Sequence, residues 1–288
     1  MPAGPPQVMG VLNVTPDSFS DGGRYLDLGD AIARVGRMID EGASVIDVGG
    51  ESTRPGARPV DVDEECRRVL PVIEAVAPHA AARGVRISID TRHEATARAA
   101  VAHGATLVND ISATLWPVAA ETGVGWVAMH MLGDPRTMQD HPVYGDVVDD
   151  VRAFLVERAR AALAGGVGEV WVDPGIGFGK TTEHNLQLLA RIDELVSEGF
   201  PVLVATSRKR FTGELSARSD VASGPRIGAA GRLSEAPYDG PVPVDDRLEA
   251  SLATATWCMA SGVQMIRSHD VAETVQAAVV VAGDFPTG

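Results

Sequence analysis

Short apolar runs recur along the chain and alternate with longer stretches of helical period. The runs are VMGVLNV (8–14), SVIDVGG (44–50), VRISIDT (85–91), TLVNDIS (106–112), GWVAMHM (125–131), EVWVDPG (169–175), PVLVATS (201–207) and QMIRSHD (264–270). Apolar residues at most positions of so short a run fit parallel strands covered on both faces. Between most of them lies an amphipathic segment closed by a glycine, near Gly42, Gly104, Gly165 and Gly199, where a helix is commonly capped. Eight such units predict a (β/α)8 barrel, a TIM barrel of the α/β class, as a single domain over residues 1–288. Two places break the rhythm. Only "ATLWPVAAETGV" separates the fourth and fifth runs, so the fourth helix must be short. Residues 216–245 are rich in Gly, Pro, Ala and Ser with little apolar period, and read as a mobile insertion ahead of a seventh helix near 246–261.

In such a barrel the reactive groups stand at the C-terminal ends of the strands. This chain places polar residues there repeatedly: Asn13, Asp47, Asp90, Asn109 with Asp110, His130, Asp173, Ser207 with Arg208 and Lys209, and Arg267 with His269 and Asp270. For any one of them, capping or tethering a loop is an ordinary alternative. Eight strands converging on one rim make a purely structural account weaker. Arg267 and His269, two apart, share one side of the last strand, and a helix N-terminus follows them. An oxyanion is therefore expected near Lys209, Arg267 and His269. Asp90, Asn109 and Asp173 offer acceptors and one amide, which suits a flat heterocycle with a guanidine-like edge. Two glycine-bearing loops, "TPDSFSDGG" with Phe19 and "ESTRPGARP" with Arg54, look like lids over the same rim.

Composition narrows the partners. The formal charge of the 288 residues is −14, which argues against a nucleic-acid partner and requires any anion to meet a local basic site. No apolar run reaches the roughly 18 residues of a membrane span. The start, MPAGPPQ, lacks the features of a signal peptide. Cys66 and Cys258 are far apart and read as buried thiols of a cytoplasmic protein.

Taken together and in this order, NVTPDSFSDGG, DVGGESTRPG, SIDT, ND, MHM, DPGIGFGKT, SRK and IRSHD resemble the dihydropteroate synthases of folate biosynthesis, from about Val8 to Val281. The resemblance implies condensation of 6-hydroxymethyl-7,8-dihydropterin diphosphate with 4-aminobenzoate to 7,8-dihydropteroate and diphosphate, a dissociative substitution assisted by Mg2+. It implies a pterin pocket of Asp90, Asn109, Asp173 and Lys209, with Met129 and Arg267 packing on the ring. Asn13 matches a ligand of the Mg2+, and Arg267 with His269 match the diphosphate site. Thr53, Arg54, Pro55, Phe19, Phe178, Ser207 and Lys209 would shape the aminobenzoate site. The family is also the target of sulfonamides, and a homodimer is expected from it. The segment after Ile111 is shorter than the family pattern, and 215–245 is longer. A pterin-binding methyltransferase barrel and a non-catalytic pterin-binding paralogue are the alternatives. Neither accounts for Lys209 and His269 together with both lid motifs.

Overall fold

The computed structural model describes residues 5–15, 28–52, 59–223 and 240–283. Eight parallel strands are present: β1 (Gln7–Asn13), β2 (Val45–Gly49), β3 (Arg86–Asp90), β4 (Leu107–Asp110), β5 (Gly125–Met129), β6 (Val170–Asp173), β7 (Leu203–Val204) and β8 (Met265–Ser268). They run in the order β6-β5-β4-β3-β2-β1-β8-β7, and a parallel bridge from Val172 to Val202 closes the ring. The barrel expected from the apolar runs is the one observed. The seventh run contributes only two ladder residues, because Ala205 to Ser207 leave the sheet to form the rim.

Helices fill the outside: α1 (Leu28–Asp40), α2 (Val62–Ala82), α3 (Glu94–Ala102), α4 (Trp116–Thr122), α5 (Val147–Ala164), α6 (Thr182–Ala190), α7 (Ile192–Val196), α8 (Arg210–Ser223), α9 (Leu248–Ala260) and α10 (Val271–Ala282). The fourth helix is short, as the spacing predicts. The 216–245 segment differs from its expected loop at both ends. Residues 216–223 complete α8, Val242 is buried, and a 3-10 turn at Val244–Asp246 leads into α9. Val242 N–H donates to the Gly213 carbonyl at 3.1 Å. The central part of the segment, 224–239, lies outside the described residues.

The period of two along each strand divides the interior. Outward residues such as Val8, Ile46, Ile89, Val108, Val172 and Ile266 join the helices in the main core. Inward residues Met9, Val45, Leu107, Val127, Trp171, Leu203 and Met265 form a separate apolar layer in the barrel. Fully burying one such side chain contributes about 1.5–3 kcal/mol, so this floor is a strong determinant of register. Below it, Arg86 pairs with Glu169 at 2.7 and 2.9 Å, and Trp171 Nε1 donates to the same carboxylate at 2.7 Å. One or two inward positions further along each strand the side chains become polar, and the candidate site begins. Of the two thiols, Cys258 is buried and Cys66 half-buried.

Candidate functional site

Asp47, Asp90, Asn109, Met129, Asp173, Ser207 and Arg267 occupy inward positions above the apolar floor, by the same alternation that places Val45, Leu107, Val127, Trp171 and Met265 in it. Arg267 ties the layer together. Its Nε donates to Asp47 Oδ2 at 2.6 Å and its Nη2 to Asp90 Oδ2 at 2.7 Å. Asn109 Nδ2 donates to the same Asp47 oxygen at 2.9 Å. Asp47 is 0% exposed, and its Oδ1 is buried with no hydrogen-bond partner. A buried acceptor of this kind is costly unless a ligand donor meets it.

Burial pushes the Asp90 carboxyl up to about 7, against the pull of Arg267. Asp173 is likewise raised by burial, with Lys209 opposing. Burial also pushes the Lys209 ammonium down to about 8, with Asp173 holding it up. These groups are pulled toward neutrality while facing one another, a pattern typical of binding and reacting sites.

Lys209 enters from the turn after β7. Arg208, at φ 59°, is one of the few non-glycine residues with positive φ. It is held from all sides: its guanidinium pairs with Asp270, its N–H donates to Ser251 Oγ at 3.0 Å, and its carbonyl accepts from Arg247 at 3.0 Å. Strained backbone persists where its surroundings over-determine it, and here it sets Ser207 and Lys209 on the rim. Lys209 Nζ donates to the Ile176 carbonyl and lies 4.5 Å from the Phe178 ring centroid. Ser207 Oγ lies 3.2 Å from His269 Nδ1 and accepts from the His269 N–H at 3.1 Å. Arg34 of α1 donates to the His269 carbonyl at 2.9 Å.

Asn13 ends β1. It lines a cavity of about 470 Å3 with Arg34, Arg208, His269 and the first turn of α10. Gly49 of β2 lies between Asn13 and Asp90: a Cβ there would stand 3.8 Å from Asn13 Oδ1 and 3.7 Å from Asp90 Oδ2, in ordinary contact with both. Glu41, Asp270 and Glu273 line the same cavity as Asn13, so it mixes both signs, and oxygen donors such as Asn13 Oδ1 are of the kind that Mg2+ carried on a phosphate can use. A second group, Glu51, Glu65 and His93, brings its ligand atoms within 4.8 Å of one another. Most of its atoms are already engaged, and Glu65 Oε1 is the buried one left without a partner. Glu65 Oε2 accepts from Thr91 and Thr96 and meets His93 Nδ1, while Arg92 holds Glu51. It ties the root of the second loop to β3.

Two strand-end residues do not join the mouth. Asp110 points outward, and its carboxylate accepts from Ser112 N–H and Oγ–H, from the N–H groups of Thr114 and Leu115, and from Trp126 Nε1. It staples the shortened connection after β4. His130 also turns outward, against Phe154 at 5.0 Å. Phe19, Thr53, Arg54 and Pro55 lie outside the described residues. Asp47 was visible among the polar strand ends but carried no assigned role. Its parity with Val45 is the signal that puts it in the pocket. Lys180, inside the DPGIGFGKT motif, gave no signal of its own, since a lysine in a glycine-rich turn reads as solvent-facing.

The family profile described as pterin binding enzyme matches residues 9–269. The dihydropteroate synthase of Escherichia coli (strain K12) is 44% identical over 282 residues, covering 96% of this chain and 90% of that one. That of Mycobacterium leprae is 43% identical over 296 positions, covering 100% and 96%. Among solved structures, the Yersinia pestis dihydropteroate synthase with a sulfonamide drug complex superposes with a TM-score of 0.83 at 40% identity, covering 97% of this chain and 94% of that one. The Xanthomonas albilineans dihydropteroate synthase with 4-aminobenzoic acid gives 0.82 at 40% identity, covering 99% and 94%.

Proposed function

The chain belongs to the dihydropteroate synthase family of pterin-binding enzymes, and from that premise we propose that it joins 4-aminobenzoate to 6-hydroxymethyl-7,8-dihydropterin diphosphate at the mouth of its barrel. The products are 7,8-dihydropteroate and diphosphate. The observation that carries this reading is the inward polar layer of Asp47, Asp90, Asn109, Asp173 and Arg267 with Lys209 beside it. It is a set of buried and half-buried carboxylates with one amide, tied together by Arg267 and next to His269 on the rim.

In this assignment Asp90, Asn109, Asp173 and Lys209 hydrogen-bond the pterin, and Met129 and Arg267 pack on its faces. The unpartnered Oδ1 of Asp47 supports the assignment, because it gives a ring N–H or amino group something to satisfy. Arg267 and His269 hold the diphosphate. Asn13 would be the protein ligand of Mg2+, which when bound offsets charge on the leaving group. The pterin C–O bond breaks with its electron pair leaving on diphosphate, and the pterin nitrogens share the positive charge. Carboxylates facing that charge stabilise it. The arylamine nitrogen then forms the C–N bond and releases a proton to the departing diphosphate, so no protein group is assigned as general base. Phe178, Ser207 and Lys209, with Phe19, Thr53, Arg54 and Pro55 of the two loops, frame the amine. The loops exclude water that would capture the cation.

No helix among the described residues is long and apolar enough to cross a membrane; a cytoplasmic placement belongs to the same proposal. A homodimer is supported by Trp257 and Val280, 55% and 60% exposed on the neighbouring helices α9 and α10. The test of function is product identity. Incubation with the pterin diphosphate, 4-aminobenzoate and Mg2+ should yield 7,8-dihydropteroate by mass. Pterin binding without that product would point to a non-catalytic paralogue, and methyl transfer from methyl-tetrahydrofolate to a methyltransferase barrel.

A further inference from the structure

The loop after β6 is built around a buried lysine that the reaction as derived does not use. Lys180 is 3% exposed. Its ammonium donates to the carbonyls of Gly175 and Phe178, both at 3.0 Å. It also lies 2.9 Å from His130 Nδ1 and 3.4 Å from the His130 carbonyl. Burial pushes His130 down to about 3, so its ring is neutral and Nδ1 serves as the acceptor. Among the described residues no carboxylate forms an ion pair with Lys180, and Asp173 acts on it only from a distance. Burial pushes its ammonium down to about 7, a cost sustained only because every donor is met.

The turn it holds has no slack. Gly175, Gly177 and Gly179 lie at φ 64°, 83° and 63°. A Cβ on Gly175 would stand 1.8 Å from the His130 carbonyl oxygen, and one on Gly179 2.6 Å from that of Leu132. Side chains engage all five successive carbonyls. Lys180 takes Gly175 and Phe178, Lys209 takes Ile176, Gln139 takes Gly177 at 2.7 Å, and Tyr144 takes Gly179 at 2.8 Å. The face toward the mouth offers the Ile176 carbonyl and the Phe178 ring, both in contact with Lys209. The loop is thus a fixed seat for Lys209, and Lys180 is its central pin.

We propose that Lys180 is a positioning residue of the transfer: by drawing the His130, Gly175 and Phe178 carbonyls onto one ammonium, it fixes the turn that sets Lys209 and Phe178 at the aminobenzoate side of the mouth. This rests on the function proposed above. Lys180→Met keeps the length of the chain and removes the donors. It is expected to raise the KM for 4-aminobenzoate by about tenfold or more. The dissociation constant of the bare pterin, most of whose partners stand on strands, should move by less than about threefold. A purely structural loss would lower the amount of active protein, and so kcat, while leaving both constants alone. That outcome would overturn the proposal. Tyr144→Phe frees only the Gly179 carbonyl at the outer edge of the same turn and is expected to raise the same KM by a smaller factor. If Lys180→Met does not fold, an unchanged KM in Tyr144→Phe overturns the proposal in its place. Failure of the parent chain to form dihydropteroate would instead contradict the function itself.

Discussion

Burial lifts the Asp90 carboxyl to about 7 although Arg267 lies 2.7 Å away, and the two demands on that residue can be separated by pH. Its ordinary value is 3.8. The stability linked to it is full below that value and is lost as the pH rises through about 7. Ligand binding runs the other way, because only the ionised carboxylate accepts two N–H donors without first losing a proton. Pterin affinity should therefore rise with pH up to about 7, by at most tenfold per unit. In Asp90→Asn the dependence should flatten and the affinity fall by about 2–4 kcal/mol, since a charged acceptor is lost. Calorimetry across that range checks both, and a parent profile that is flat would contradict the assignment. At this scale the sequence is uneven in what it reveals. Asn109 and Asp110 are adjacent and equally polar, yet the strand's period of two sends one to the pocket and the other to staple a loop. Asp47 follows from the same parity. Lys180 does not, because its role depends on carbonyls of a turn that only the folded backbone brings together.

At the scale of elements, eight strands are legible because parallel strands buried on both faces leave nearly unbroken apolar runs. Helix α2 is not. Pro71 and Pro78 lie inside it, and proline ordinarily ends a helix. Both sit on its solvent face, where the carbonyls that lose a donor can be hydrated. The 216–245 stretch is misread at its margins for a different reason. Its polar composition hides a helix end and a return segment whose one buried side chain, Val242, has no periodic neighbours. Val242 O accepts from Arg247 at 2.9 and 2.7 Å, and Arg247 is itself buried. Replacing 224–239 with a short Gly/Ser linker should thus leave the melting temperature within a few degrees of the parent. Replacing all of 216–245 should lower it by roughly 5 °C or more, as losing about 3 kcal/mol or more of packing and hydrogen bonding does in a chain of this size. Thermal melts of the two variants decide it, and collapse of the shorter replacement would show that 224–239 docks on the barrel.

For the whole molecule, an apolar floor, a polar layer above it and a basic rim form one stack along the barrel axis. That stack gives a protein of net charge −14 a local seat for an anion. Among the described residues the outside carries one large exposed aromatic side chain, Trp257 of α9, whose indole N–H donates to the Leu189 carbonyl at 2.7 Å. Buried aromatic anchors dominate association energies, so light scattering should find a dimer for the parent and a monomer for Trp257→Glu. A monomeric parent would contradict the placement of the interface.

The claim that the mouth performs the condensation is tested most directly by initial rates of 7,8-dihydropteroate formation from the pterin diphosphate and 4-aminobenzoate with Mg2+, parent and Lys209→Ala side by side. The account predicts product from the parent and a rate lower by about 100-fold or more in the variant, consistent with loss of a positioned charge at the reacting groups, with both proteins folded. No product from a folded parent, or equal rates from the two, would contradict it.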